Sequence, residues 1–118
     1  ADSRAKNPIV LSGDIHAFAV NDVNARPEDL SSAIVATELV TTSITSIGPP
    51  QSAFDGWRTE NPNVRFARSD RRGYIRLTVE PEHLRAELVA VDDVERADSA
   101  THVLASFDVA ADIPGVVR

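Results

Sequence analysis

Residues 73–91, GYIRLTVEPEHLRAELVAV, contain the pattern that decides the fold. Apolar side chains occupy alternate positions on both sides of the break at Pro81-Glu82-His83: Ile75, Leu77 and Val79 before it, and Leu84, Ala86, Leu88 and Ala90 after it. A period of two gives each strand one apolar face. The stretch therefore predicts an antiparallel hairpin with strands near 73–80 and 84–91.

The same alternation returns downstream of an acidic loop at residues 92–101. Apolar residues again occupy alternate positions, at Val103, Ala105, Phe107 and Val109. This predicts a strand near 102–109 and hence a three-stranded meander. The loop lacks the glycine and the ligand spacing of an EF-hand, so we expect it to be solvated. The tail at residues 113–117 has no periodicity and is expected to be irregular.

Upstream of the hairpin, the sequence predicts three more strands. Residues 9–11, IVL, form a short apolar run, which is typical of a strand near 8–12 that is buried on both faces. β-branched residues are dense over 33–45, which favours a strand there. Residues 64–68 are interpreted as a further extended segment.

One short helix is expected near 50–60, ended by the turn residues Asn61-Pro62-Asn63 and anchored in the core by Trp57. Residues 20–24 and 26–29 are rich in Asn, Asp and Pro, which predicts turns at both places.

Together these elements predict an α+β fold, a mostly antiparallel β-sheet with one or two short helices. We expect residues 1–118 to form a single unit, because a chain of 118 residues is close to the usual size of one domain and buries roughly two thirds of its surface. Residues 7–48 carry the candidate site and its polar loops, and residues 52–118 carry the helix and the meander.

Composition and charge exclude several classes of protein. The chain is 42% hydrophobic with only short apolar runs, which argues against a membrane-spanning segment. A net charge of −6 without a basic patch argues against nucleic acid as the principal partner. The absence of cysteine excludes disulfides and thiolate metal sites.

The start of the chain carries no leader pattern. ADSRAKNP is polar and runs directly into the first strand, and the chain contains no Met. We therefore expect Ala1 to begin a fragment of a longer polypeptide.

The motif GDIH, residues 13–16, is the candidate metal site. Asp14 and His16 are two residues apart, and on an extended strand end this spacing puts both side chains on one side. A carboxylate oxygen and an imidazole nitrogen suit a hard divalent or trivalent ion, and the second ring nitrogen of the histidine then needs an outer partner. The alternative is an Asx turn with a surface histidine. His83 and His102 are interpreted as structural residues.

Three further polar features leave two interpretations open. Glu38 lies in an otherwise apolar strand, so it either faces water or pairs with a group near the site. The pair Arg71-Arg72 before Gly73 either offers guanidinium groups to a phosphate or forms a polar hairpin entry. A hydroxyl series is explained either by phosphate binding or by β propensity, and we favour the latter: Thr37, Thr41, Thr42, Ser43, Thr45 and Ser46.

Four ordered blocks carry a family resemblance: VLSGDIHAFAVND, ATELVTTSITS, NPNVRFARSDRRGYIRLTVEPEHLRAELVAV and ASF. In this order they resemble the C-terminal portion of PhoD-type alkaline phosphatases, which belong to the calcineurin-like metallophosphoesterases. The resemblance covers roughly residues 7 to 110. It implies that the fold is the C-terminal part of a metallophosphoesterase sandwich.

The resemblance also implies an activity and a location. Such proteins are secreted or cell-envelope enzymes, exported by the twin-arginine route, that hydrolyse phosphomonoesters and phosphodiesters at a dinuclear centre of iron and calcium. By the match to GDIH, Asp14 would ligate the calcium-type metal and His16 the iron-type metal. Asn21 and Asp22 match the pattern after this motif and are assigned to loop structure or the outer shell.

The early motifs of the family have no counterpart in this sequence. Asp14 and His16 alone cannot hold two metals about 3.5–4 Å apart, so the other ligands are expected from the missing N-terminal part of the same domain. As an isolated chain the protein is then expected to be inactive and metal-free. The alternative function is a non-catalytic β-rich structural or interaction module, and a homodimer through an exposed strand edge is expected for such a fragment.

Overall fold

Two four-stranded sheets and one helix make up the fold. The structure, a computed structural model, describes residues 7–117. Its elements in chain order are β1 Ile9–Ser12, β2 Phe18–Asn24, β3 Ile34–Val40, α1 Gln51–Glu60, β4 Val64–Arg68, β5 Arg72–Val79, β6 His83–Val91, β7 Thr101–Ala110 and β8 Ile113–Val117. The first sheet has the order β1-β3-β2-β4 and the second β5-β6-β7-β8. The predicted α+β, mostly antiparallel fold is confirmed.

Strand pairing in the first sheet positions the candidate site. β3 lies between β1, with which it is parallel, and β2, with which it is antiparallel. β1 is an edge strand, and the chain leaves it at Ser12, forms the turn of residues 13–16, and returns as β2 two positions across the sheet. The motif therefore lies at one end of this sheet.

One apolar core joins the two sheets. The inward residues of the first sheet are Phe18, Val20, Leu39 and Phe66, and those of the second are Ala86, Leu88, Ala105, Phe107, Val109 and Val116. The rings of Phe66 and Phe107 meet edge to face across the two sheets, with centroids 5.6 Å apart. This is the favoured geometry for two aromatic rings, and the contact packs the two sheets against each other.

Most predicted elements are present within a few residues of their expected bounds. The hairpin of β5 and β6 pairs Ile75 with Leu88 and Leu77 with Ala86, as the alternation indicates. The strands expected near 8–12, 64–68 and 102–109 and the helix near 50–60 are also confirmed. Residues 52–118 include most of α1, strand β4 at the edge of the first sheet, and all four strands of the second sheet.

Two strands were predicted wrongly as irregular structure. Residues 20–24, read as a turn, belong to β2, because Asn21, Asp22 and Asn24 bury their polar groups against distant partners. The tail forms β8, which pairs with β7 through Ala110 and Ile113 and turns the meander into four strands. As an edge strand, β8 can contain Pro114 without losing a ladder hydrogen bond.

Three other expectations about burial or length were wrong. β3 ends at Val40, and the hydroxyl-rich residues after it form a loop. β1 is not buried on both faces, since Leu11 is 61% exposed at the sheet edge. Trp57 is 37% exposed and is no core anchor, since α1 has no buried residue and contacts the sheet beside β4.

Within residues 7–117, no helix is long and apolar enough to cross a membrane.

Candidate metal site

The motif GDIH forms a strained turn between β1 and β2. Asp14 has a φ of 78° and His16 a φ of 56°, so both lie in the left-handed region. The expectation that they share one side of an extended strand end is therefore wrong, because β1 has already ended at Ser12. Non-glycine residues in this region are uncommon, and such outliers cluster at functional sites.

The imidazole of His16 is fixed by a backbone carbonyl. Its Nδ1 lies 3.0 Å from the carbonyl oxygen of Ile47, and the ring is half-buried. A carbonyl oxygen only accepts, so the bond requires a proton on Nδ1 and leaves the lone pair of a neutral ring on Nε2. Metal-bound histidines have this arrangement, in which an outer carbonyl fixes the tautomer and the ring orientation.

The donor set fits part of a metal centre. The Asp14 carboxylate, which is exposed, offers oxygen, and His16 offers nitrogen; both are donors that a hard divalent or trivalent ion accepts. Across residues 7–117, however, no three His, Cys, Asp or Glu side chains are grouped closely enough to hold a metal ion. The described part of the chain therefore shows no complete cluster of these four ligand types.

A loop of residues 43–48 lies directly behind His16. A Cβ on Gly48 would stand 2.1 Å from the carbonyl oxygen of His16, a distance that no side chain tolerates. Glycine at this position therefore allows the loop to press against the turn and to bring the carbonyl of Ile47 to the imidazole.

The guanidinium of Arg72 supports this loop from the second sheet. Its Nη1 donates to Ser43 Oγ at 2.7 Å and to the Ser46 carbonyl at 2.6 Å, and its Nη2 donates to the Ser69 carbonyl. Burial lowers the pKa of Arg72 from its ordinary value, and the charge of Asp70 partly offsets this. Since the guanidinium faces inward, the structural interpretation of Arg72 fits the geometry and the phosphate-fork interpretation does not.

Glu38 pairs with groups on both neighbouring strands. Its carboxylate accepts from Ser12 Oγ at 3.0 Å and from Asn21 Nδ2 at 2.8 Å. Of the two interpretations of this acid, pairing near the site is therefore correct, because Ser12 is the last residue before the turn. The carboxylate holds the end of β1 in place.

Asp22 links the two sheets through hydrogen bonds. It is 4% exposed, accepts from Arg65 Nη1 at 2.8 Å, and also receives the backbone N–H of Val116. The assignment of Asn21 and Asp22 to loop structure was wrong, since both lie within β2. Their assignment to the outer shell stays a prediction.

The remaining histidines contact single carboxylates in the second sheet. His83 Nδ1 lies 3.7 Å from Glu80, and His102 Nδ1 lies 2.6 Å from Asp92, both pairs being partly exposed. The sequence missed the second pair because its members are ten positions apart, on either side of a loop. Neither belongs to a cluster of metal ligands within residues 7–117.

Comparisons with known proteins find one family. The family model described as PhoD-like phosphatase matches residues 1–88. Alkaline phosphatase D of Bacillus subtilis (strain 168) is 35% identical over 113 residues, which cover 93% of this chain and 19% of that protein. A solved structure of PhoD matches with a TM-score of 0.79 and 36% identity, over 88% of this chain and 20% of that one. The chain thus spans about a fifth of the length of these relatives, and by fold and sequence it belongs to the PhoD-like phosphatase family.

Proposed function

We propose that this chain is the part of a metal-dependent phosphoric ester hydrolase that supplies Asp14 and His16 to its metal centre. The observation that carries the proposal is the hydrogen bond from His16 Nδ1 to the Ile47 carbonyl. A proton on Nδ1 leaves the lone pair of a neutral ring on Nε2, which is the form that a metal requires. Asp14 and His16 act as ligands in this proposal, not as general acid or base.

The family resemblance supports the nature of the centre and of the substrate. A dinuclear pair of calcium and iron would activate water and neutralise charge on the phosphoryl oxygens of a phosphomonoester or phosphodiester. Asp14 is assigned to the calcium-type ion and His16 to the iron-type ion. The remaining ligands would come from the N-terminal part of the same domain, so the 118 residues alone would not hydrolyse the ester. Secretion by the twin-arginine route belongs to the same proposal.

The proposal is tested in the full-length protein by His16→Ala, with His102→Ala as the matched control. We expect His16→Ala to lower phosphodiester turnover by at least about a hundredfold and to release part of the bound iron, since loss of a ligand removes both binding and orientation. His102→Ala should retain both properties, because its ring contacts Asp92 in the second sheet. Normal turnover with a full metal complement in His16→Ala would refute the proposal.

A second candidate function is a non-catalytic β-rich module. It is favoured by the single core that joins both sheets within the described residues, since such a core allows independent folding. Its exposed β1 edge, with Leu11 61% exposed, would then pair with a second copy. Light scattering tests this pairing: Leu11→Lys should convert a dimer to a monomer, whereas a wild-type chain that is monomeric at all concentrations excludes it.

A further inference from the structure

We infer that Arg72 is a positioning residue for His16, acting through the loop of residues 43–48. The relevance of this role to hydrolysis rests on the proposed function, but the role itself concerns only residues of this chain. His16 lies in the turn between β1 and β2, and Arg72 begins β5 of the second sheet, 56 positions later, so only the fold brings them into one network.

The first step of the network is the contact between Arg72 and the loop. The side chain is 8% exposed and donates to Ser43 Oγ and to the Ser46 carbonyl at 2.7 and 2.6 Å. The hydroxyl of Ser43 also donates to the Ser46 carbonyl at 2.5 Å. These three groups close a compact ring of hydrogen bonds that fixes the backbone just before Ile47.

The second step leads from the loop to the imidazole. Ile47 follows Ser46 directly, and its carbonyl oxygen lies 3.0 Å from His16 Nδ1. The next residue, Gly48, lies between His16 and Arg72. A Cβ on Gly48 would be 2.1 Å from His16 O and 2.9 Å from Arg72 Nη2. A shift of the guanidinium would therefore move the carbonyl that selects the tautomer of His16.

The strand that carries Arg72 holds the other end of the network. Thr42 Oγ1 donates to the Arg71 carbonyl at 3.1 Å, and the Gly73 N–H donates to the Ser43 carbonyl at 3.2 Å. Arg72 also donates to the Ser69 carbonyl, which anchors it to the end of β4. The guanidinium thus joins the loop to the start of the second sheet.

The chemistry of the site requires arginine at this position. All acceptors named for the guanidinium are neutral: two carbonyls and one hydroxyl. Burying a cation among neutral acceptors is costly, and it is compensated only when several donors are satisfied together. The planar fork of arginine reaches three acceptors in fixed directions, whereas lysine presents a point charge on a flexible stem.

The test measures the tautomer of His16 in the 118-residue chain. Long-range ¹H–¹⁵N spectra of the neutral imidazole report which ring nitrogen carries the proton. In the wild type we expect Nδ1–H, and in Arg72→Lys we expect the ratio of Nδ1–H to Nε2–H to fall at least about threefold, as for a weakened hydrogen bond. Arg76→Lys is the matched control, because Arg76 lies on the same strand in an exposed pair with Glu87.

If Arg72→Lys does not fold, Ser43→Ala serves as the second test variant. It removes one acceptor of the guanidinium and should lower the same ratio by a smaller factor. A role in stability alone would lower the melting temperature but leave the tautomer of the folded chain unchanged. A wild-type ratio in Ser43→Ala and in folded Arg72→Lys would overturn the inference.

Failure of this inference is distinguishable from failure of the proposed function. If the tautomer depends on Arg72 but the His16→Ala variant keeps its metal and its turnover, the positioning role stands and the metal role is refuted. If the tautomer is unchanged in Arg72→Lys and His16→Ala loses its metal, the metal role stands and the positioning role is refuted.

Discussion

Gly48 and His16 are in direct backbone contact, so close that a methyl group on Gly48 would overlap the His16 carbonyl oxygen at 2.1 Å. The contact joins the loop after β3 to the turn after β1. It places the carbonyl of Ile47, one residue away, at hydrogen-bond distance from the imidazole. The orientation of the candidate ligand therefore depends on a residue that has no side chain.

Gly48→Ala should displace the loop and lower the free energy of unfolding by about 1–3 kcal/mol, as steric overpacking of a close contact does. Urea unfolding measures this loss. Gly56→Ala is the control, since nothing lies within 4 Å of a Cβ at that position of α1. There alanine should stabilise the chain by about 0.5–1 kcal/mol, the usual gain for a helix interior. Equal stability of the two variants would contradict the close contact.

The aromatic residues allow a second prediction, about where the core lies. Phe107 is 2% exposed and meets Phe66 across the sheets, whereas Trp57 is 37% exposed on α1. Phe107→Ala should therefore lower the free energy of unfolding by about 3–5 kcal/mol, the usual cost of removing a core aromatic ring. Trp57→Ala should cost clearly less in the same urea titration. A larger loss at Trp57 would mean that the helix, not the sheet interface, anchors the fold.

The pair Arg68–Asp70 predicts a small dependence of stability on pH. Both carboxylate oxygens accept from Arg68 at 2.7 Å, and this hydrogen bonding lowers the pKa of Asp70 below its ordinary value of 3.8. Because the carboxylate is favoured in the folded state, its contribution is present above that ordinary value and disappears as the pH falls through the lowered pKa.

Asp70→Asn should accordingly lower the free energy of unfolding at neutral pH by about 0.2–1 kcal/mol, since the pair is partly exposed and solvent screens it. The difference from the wild type should vanish in strong acid. Asp112→Asn, at an exposed position before β8, provides the control for loss of one negative charge. Urea titrations across the acid range measure both variants, and a difference that grows toward low pH would refute the argument.

The sequence predicted β5, β6 and β7 of the second sheet well because their signal is local. The period-two alternation over 73–91 requires no knowledge of distant residues, and the hairpin pairs accordingly. β2 was missed for the opposite reason: Asn21 and Asp22 resemble turn residues until Glu38 and Arg65 are known to satisfy them.

In the candidate site, too, local features could be predicted from the sequence and contacts between distant residues could not. Asp14 and His16 could be predicted as ligands because both ligand types stand within one short motif. The residues that orient His16 were not, since a backbone carbonyl such as that of Ile47 has no sequence signature. The inward direction of Arg72 likewise depends on a loop 26 to 29 positions away.

The left-handed backbone of Asp14 supports a final prediction, which separates the cost of the turn from the role of the carboxylate. Asp14 has a φ of 78°, a conformation that costs an L-residue with a Cβ about 1–2 kcal/mol and costs glycine almost nothing. Asp14→Gly and Asp14→Ala remove the same carboxylate but differ in this cost.

In urea titrations the glycine variant should therefore be more stable than the alanine variant by about 0.5–1.5 kcal/mol, after allowance for the greater flexibility of unfolded glycine. Both variants should lose phosphodiester turnover equally in the full-length protein if the carboxylate is a metal ligand. Equal stability would mean that the turn is not left-handed in solution. Retained turnover in either variant would mean that the carboxylate is not a metal ligand and that the surrounding structure alone holds the strained position.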